Sequence, residues 1–338
     1  MNHRFAALCL TIALTTEGAW AGSLRHPQLQ RDLERLSRGF DGRVGACAVD
    51  SAGASCIHGD RRFPLQSVMK LLVALAVMDR VDRRGWRLDD EILARPQDLS
   101  LFVQPLAALV SKQGYKTTVG DLVRRAIVAS DSAAADILID RLGGPPQVQA
   151  FLERNGANGV RLDRDERHLQ TEILGLIWRP EYVDPAVLDK AIAAVPAGER
   201  TAAYHRYQAD PRDTATPDGM AGLLQKLATG GLFSPASTRY VLEVMAQTVT
   251  FPDRLKAGVP RGWTLAHKTG TSGSWQGITA ATNDVGVLRA PDGGSVSLVV
   301  FIRDSHASPA ARAALMAKIA AATTARYVCK AAATEPRT

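Results

Sequence analysis

The chain has 338 residues, 46% hydrophobic and 22% charged, with a net charge of +7 at pH 7; this is a globular composition with material for an ample core in one or two domains. The basic excess is spread, with no Lys/Arg block and no aromatic-interleaved stripe, which argues against a nucleic-acid partner. The seven histidines and four cysteines form no H-x-x-x-H or C-x-x-C grouping and there is no G-x-S-x-G elbow, so no metal, no cofactor and no α/β-hydrolase site is expected.

At the start of the chain, His3 and Arg4, the short apolar run Phe5 to Leu14 and Ala19-Trp20-Ala21 read as a cleaved secretory signal over residues 1–21, too short to span a bilayer. Export to the bacterial periplasm, with no membrane attachment after cleavage, follows from that reading. Pro27 to Phe40 then carries helical spacing through Leu29, Leu33 and Leu36. Val44 to Asp50 and Ser55 to His58 read as two short strands. Cys47 and Cys56 flank Asp50-Ser51-Ala52-Gly53, a tight-turn candidate that would set them face to face across a hairpin for oxidation after export. Buried free thiols are the other arrangement the spacing allows.

The stretch Phe63-Pro64-Leu65-Gln66-Ser67-Val68-Met69-Lys70 precedes an unbroken apolar run, Leu71 to Met78. Pro64 stops any preceding strand, and the run fits a helix buried on all sides, with Ser67 at its N-terminus and Lys70 one turn on, on the same face. A serine hydroxyl is a weak nucleophile until a base removes its proton, and a lysine held in a dry core is one means of doing so. An isolated S-x-x-K arises by chance about once in a chain of this size, so its partners must carry the case.

Helical signals dominate from there to about Met245, including Leu122 to Ile127, Ala133 to Leu142, Pro146 to Arg154 and Gly219 to Ala228. Strand signals return at Thr264 to His267, Thr279 to Leu288 and Ser295 to Phe301, and a last helix runs from about Pro309 to Val328. The economical arrangement is an α/β (α+β) fold: one antiparallel five-stranded sheet built from both chain ends, 22–63 and 252–338, and flanked by the terminal helices. An all-helical domain, 64–251, is inserted, with Ser67 at the seam.

Two further motifs follow in order. Ser130-Asp131-Ser132 lies between helical stretches, and Lys268-Thr269-Gly270-Thr271-Ser272-Gly273 ends a predicted strand, where glycine lets a ligand approach the backbone. Each alone reads as a capping or strand-end turn; the three together, in one exported chain, are improbable as coincidence. At this point the sequence resembles the serine β-lactamases and penicillin-binding transpeptidases, and more closely the class A β-lactamases. The closer likeness rests on Arg161 to Gln170, similar to that class's deacylation loop with Glu166 as its glutamate, and on Asp210 to Pro217, similar to the loop's closing segment. His267 to Gly273 with Ala280 to Gly286 resembles the extended-spectrum branch.

The resemblance implies an acyl-enzyme on Ser67, an oxyanion hole from the backbone N–H groups of Ser67 and Thr271, and proton delivery by Ser130 within a network of Lys70 and Lys268. It leaves open whether Lys70 or Glu166 takes the Ser67 proton, and gives Glu166 the water that hydrolyses the adduct. Lys268, Thr269, Gly270 and Thr271, with the Arg254 guanidinium, would hold a β-lactam carboxylate. Ser132 and Gln170 depart from the family's usual asparagines, the first shorter and the second longer by one methylene. Glu172 to Gln208 is an insertion, expected to hold a short helix over Pro185 to Ala194 within an extended active-site loop, 161–217. Arg164 and Asp213 are expected to pair at the loop's neck, with the insertion bulging outward. A monomer acting on small β-lactams, cephalosporins among them, is the reading that follows. A D-alanyl-D-alanine peptidase or low-turnover penicillin binder, and a non-catalytic β-lactam sensor, are the alternatives.

Overall fold

The computed structural model describes residues 22–329; the expected signal, 1–21, lies outside them. In chain order, α1 (His26–Ser37) leads into β1 (Arg43–Asp50) and β2 (Gly53–Ile57), and the helical stretch follows: α2 (Met69–Asp82), α3 (Val119–Val128), α4 (Ser132–Leu142), α5 (Pro145–Arg154), α6 (Glu166–Ile173), α7 (Pro185–Ala194), α8 (Ala197–Ala209), α9 (Pro217–Ala228) and α10 (Pro235–Ala246). The chain returns through β3 (Thr264–Thr271), β4 (Thr282–Arg289) and β5 (Ser295–Arg303) and closes with α11 (Pro309–Ala325). The main sheet is antiparallel, in the order β2-β1-β5-β4-β3.

Side chains alternate across this sheet as the pleat requires. Leu298, Val300 and Ile302 of β5 pack with Leu29 and Leu33 of α1 and Met316 and Ile319 of α11, whereas Val299 and Phe301 enter the core shared with the inserted helices. The sheet is therefore buried on both faces, which accounts for the near-continuous apolar runs of its central strands. Inside the helical part, Met69 to Met78 of α2 are all buried, Lys70 included. This helix packs against α3, α4, α5 and α10, so its amphipathicity is lost and its unbroken apolar run identifies it as central.

Two connections bring the catalytic segment to the sheet. A short strand, Phe63–Pro64, pairs with Thr214–Ala215, and Asn283 of β4 donates its side-chain amide to the carbonyls of Pro64, at 2.7 Å, and Leu65, at 2.9 Å. The expected end of a strand at His267 is too early: β3 continues through Thr271, because its register with β4 holds from Thr264↔Arg289 to Thr271↔Thr282. The helical stretch also contains a strand pair, Glu91–Ala94 with Tyr115–Thr118, that periodicity did not reveal.

Cys47 and Cys56 are opposite one another in the β1–β2 register and are joined as a disulfide; Cys329 is free and exposed. A non-reducing peptide map of the oxidised protein is expected to recover the two cysteines in one bridged peptide. Closing a loop of sequence separation 9 restricts the unfolded chain by about 2–3 kcal/mol in the chain-entropy picture, so Cys56→Ser should lower the urea unfolding free energy by about that amount.

Candidate active site

Ser67 occupies a 3-10 turn, Gln66–Val68, that runs directly into α2. The turn is not relaxed: Gln66 has φ 48°, in the left-handed region, at a cost of roughly 1–3 kcal/mol that its surroundings must supply. They do so on both sides. Asn283 holds the carbonyls before Ser67, and β3 presses against the turn so closely that a Cβ added to Gly270 would lie 2.5 Å from the Leu65 carbonyl oxygen and 3.2 Å from the Ser67 nitrogen. The glycine of the Lys268-Thr269-Gly270 motif is therefore required by the approach of the protein's own backbone.

Lys70 is the hub. Its Nζ lies 3.1 Å from Ser67 Oγ, 2.7 Å from the Ser130 carbonyl, 3.0 Å from Ser132 Oγ and 3.1 Å from Glu166 Oε1. Both Lys70 and Glu166 are only 1% exposed, so each charge depends on the other for compensation. Glu166 Oε2 accepts from Gln170 Nε2 at 3.1 Å, while Oε1 faces Lys70 Nζ and has no other donor among the described residues. Ser130 sits at φ 60° and its Oγ is reached by Lys268 Nζ at 3.0 Å. Burial, and then the neighbouring Lys70 ammonium, hold Lys268 well below the usual lysine range. Asp131 caps α4 through Ala134 and also takes the Leu106 N–H, fixing the turn that presents Ser130 and Ser132.

Arg254 is 4% exposed, stacked on Phe251, and donates to Thr271 Oγ1 at 2.6 Å and to the Asn283 carbonyl at 2.9 Å. Burial lowers its pKa to about 10, so it remains cationic at neutral pH. It stands behind Thr271, while Thr269 Oγ1 bonds Thr250 Oγ1 at 2.6 Å.

The loop that carries Glu166 is pinned at both ends. Arg164 Nε meets Asp213 Oδ2 at 2.6 Å, and Asp213 Oδ1 takes the N–H groups of Asp163 and Arg164. Arg164 also reaches Glu172 and Asp210. At the start of α6, Asp136 accepts from the Glu166 N–H at 2.8 Å and the Arg167 N–H at 3.2 Å. Burial, and then the adjacent Asp165 carboxylate, push the Asp136 carboxyl up to about 8.

The insertion does not bulge outward. Its first helix, α7, has the expected bounds, but a second, α8, turns inward. Tyr207 of α8 is buried and accepts from Gln66 Nε2, and Gln66 Oε1 in turn accepts from Gln170 Nε2 at 3.1 Å. Tyr204 donates to the carbonyls of Gly273 and Ile278 and accepts from the Ala280 N–H. The reason is packing: Ala203, Tyr204 and Tyr207 are the buried face of α8, and Tyr204 and Tyr207 join the core shared with α2 and α6. Sequence reasoning missed Gln66, Asp136, Tyr204 and Tyr207; the one available signal was the 203, 204, 207 spacing, which marks a buried helical face without saying what it faces.

Comparison with known proteins agrees with this geometry. A family model described as the beta-lactamase enzyme family matches residues 28–327. The chain belongs to that family. Among curated relatives, it is 28% identical over 302 residues to beta-lactamase VEB-1 of Pseudomonas aeruginosa, covering 88% of this chain and 90% of that protein. It is 26% identical over 313 residues to the extended-spectrum beta-lactamase PER-1 of the same organism, covering 92% and 91%. An ancestral class A beta-lactamase structure aligns with a TM-score of 0.69 at 32% identity, covering 88% of this chain and 99% of that one. A beta-lactamase from Chitinophaga pinensis aligns with a TM-score of 0.72 at 26% identity, covering 87% and 97%. The chain is thus a class A serine beta-lactamase, an enzyme of the hydrolase class.

Two predictions follow from the walls of the site. Gly270→Ala should force β3 away from the Ser67 turn and lower kcat/KM for a chromogenic β-lactam by at least about a hundredfold, equivalent to about 2.7 kcal/mol, with the loss read in steady-state kinetics. Asp136 gives a stability dependence on pH. Its folded-state pKa lies above the unfolded value of ~3.9, so its contribution is full below that value and is lost as pH rises toward about 8. Urea midpoints measured across that interval should fall less steeply with pH in Asp136→Asn than in the parent.

Proposed function

We propose that this beta-lactamase opens the β-lactam amide through an acyl-enzyme on Ser67 and clears it with a water activated by Glu166. The observation that carries the reading is the position of Lys70 Nζ, 3.1 Å from both Ser67 Oγ and Glu166 Oε1. As Ser67 Oγ bonds to the carbonyl carbon, its proton passes to Lys70 and the Lys70 proton to Glu166 Oε1, the carboxylate oxygen 3.1 Å from Lys70 Nζ. Negative charge on the carbonyl oxygen falls to the backbone N–H groups of Ser67 and Thr271. When the amide C–N bond breaks, Ser130 Oγ, held by Lys268 Nζ at 3.0 Å, gives its proton to the leaving nitrogen and is resupplied by Lys70, 3.5 Å away, which takes back the proton from Glu166 Oε1 and returns Glu166 to a carboxylate. Water then attacks the ester, Glu166 taking its proton while Gln170 holds the carboxylate in orientation through Oε2.

The substrate carboxylate is assigned to Lys268, Thr269 and Thr271, with Arg254 supplying its charge through the 2.6 Å bond to Thr271 Oγ1. Ser132, whose Oγ is bonded to Lys70, borders the place of the acylamino group. Cephalosporins are included among the substrates, a reading supported by the likeness to the extended-spectrum relative. The active form is a monomer, exported to the periplasm by the signal read at residues 1–21; no helix among the described residues is long and apolar enough to cross a membrane.

Mass spectrometry of the protein mixed with a cephalosporin, alongside absorbance of the opened ring, tests the scheme. The parent is expected to show a Ser67 adduct that clears over many turnovers, and Glu166→Gln an adduct that persists, with deacylation reduced by about 10²–10⁴-fold. A stable adduct in the parent would favour the low-turnover penicillin binder. No adduct on Ser67 would overturn the assignment of the nucleophile.

A further inference from the structure

Basic residues that are scattered through the sequence converge at one end of the sheet. Arg43 opens β1, Arg303 closes β5, and Arg61 and Arg62 lie in the segment leading to Ser67; with His58 and Phe63 they line a cavity of about 390 Å³. That volume is within the ~300–1,000 Å³ typical of small-molecule sites. None of these residues belongs to the catalytic set.

The arrangement is costly as it stands. Arg43 and Arg303 are direct partners in the β1–β5 register, and like charges directly opposite one another destabilise a sheet. Neutralisation is incomplete: Asp304 meets Arg303 at 2.9 Å and Asp60 lies 3.8 Å from Arg61, both Asp60 and Arg61 being largely exposed. The Arg43 side chain has no hydrogen bond or ion pair among the described residues. Arg62 and Arg303 also take neutral partners. Arg303 donates to the carbonyls of Arg62, at 3.0 Å, and Gln208, and Arg62 donates to Thr214 Oγ1 at 3.1 Å. His58, at φ 47°, uses Nδ1 on the Val44 carbonyl at 2.6 Å, which makes Nδ1 the protonated nitrogen. The cations are thus positioned by backbone and hydroxyl groups that leave their charge in excess.

We propose that this cavity is an anion site for a phosphate group carried on a small organic moiety. Guanidinium forks match phosphate oxygens in pairs, and the buried Phe63 ring offers an apolar wall to the ester side. The phosphate comes from one of two sources, a soluble phosphate ester or an anionic lipid headgroup at the envelope surface.

The test uses the mature protein and its Arg43→Ser/Arg61→Ser variant, both positions exposed. Turnover of a chromogenic cephalosporin, expected to be equal in the two, serves as the check on folding. Calorimetric titration with inorganic pyrophosphate at low ionic strength should show saturable binding to the parent, weakened at least about tenfold in the variant and weakened by added salt in both. Co-sedimentation with phosphatidylglycerol vesicles, against phosphatidylcholine vesicles, separates the sources. Vesicle binding lost in the variant identifies the lipid headgroup, and pyrophosphate binding without vesicle binding identifies a soluble ester. Absence of saturable binding to either probe, or binding the variant retains in full, overturns the proposal.

Discussion

A buried ammonium in contact with a buried carboxylate is the constraint on which the structure depends. Removing one charge from water costs several kcal/mol even after relaxation, and only close, well-directed partners offset it. Lys70 has them from four directions: Ser67 on its own helix, Ser130 and Ser132 from the turn before α4, and Glu166 from the start of α6. These partners come from three segments, so compensating this one charge forces three pieces of the helical part to meet at the first turn of α2. Disturbing any of them exposes the others to an unpaired charge.

The rest of the fold reads as the means of holding that meeting in place. Both ends of the chain supply the sheet, with α1 and α11 covering one face and α9 and α10 the other. The sheet edge β3 is thereby brought against the Ser67 turn, and the contact is tight enough to demand glycine at 270. Strained backbone at Gln66 and Ser130 is held from outside, by Asn283 on one and by Asp131 at the helix cap on the other. The functional loop is clamped by Arg164 with Asp213 at its neck and by Asp136 at the start of α6. The inserted helix α8 closes a chain of hydrogen bonds, Tyr207 to Gln66 to Gln170 to Glu166, that links the insertion to the catalytic carboxylate.

Local order of residues was enough to specify much of this. Ser67 and Lys70 are three apart before an apolar run, so a helix places them on one face whatever else the chain does. Helix α7 has a Pro at its first position after an Asp cap, both visible in the sequence. Alternation and turn residues located four of the five sheet strands to within two or three residues, and only β3 ran longer, because pairing with β4 carries a strand past the point where its own apolar pattern ends. The Cys47 and Cys56 spacing allowed two arrangements, and cross-strand register chose between them.

Nothing local distinguishes Tyr207 on a site wall from Tyr207 in an ordinary core, and so the inward turn of α8 was not legible; it depends on which apolar surface lies within reach once the loop neck has closed. The same holds for Asp136, whose role arises from two N–H groups thirty residues away in sequence. Arg43, the Arg61-Arg62 pair and Arg303 are separated in sequence and look like dispersed charge, and only strand register puts Arg43 opposite Arg303. The sequence by itself determined the placing of Ser67 and Lys70 on one face, the order of motifs and the helical or extended state of most segments, because those follow from spacing and local sterics. Tertiary structure decided which charges are buried together, which glycine is compulsory and which face of the insertion meets the site, because those depend on contacts between residues that the chain alone keeps far apart.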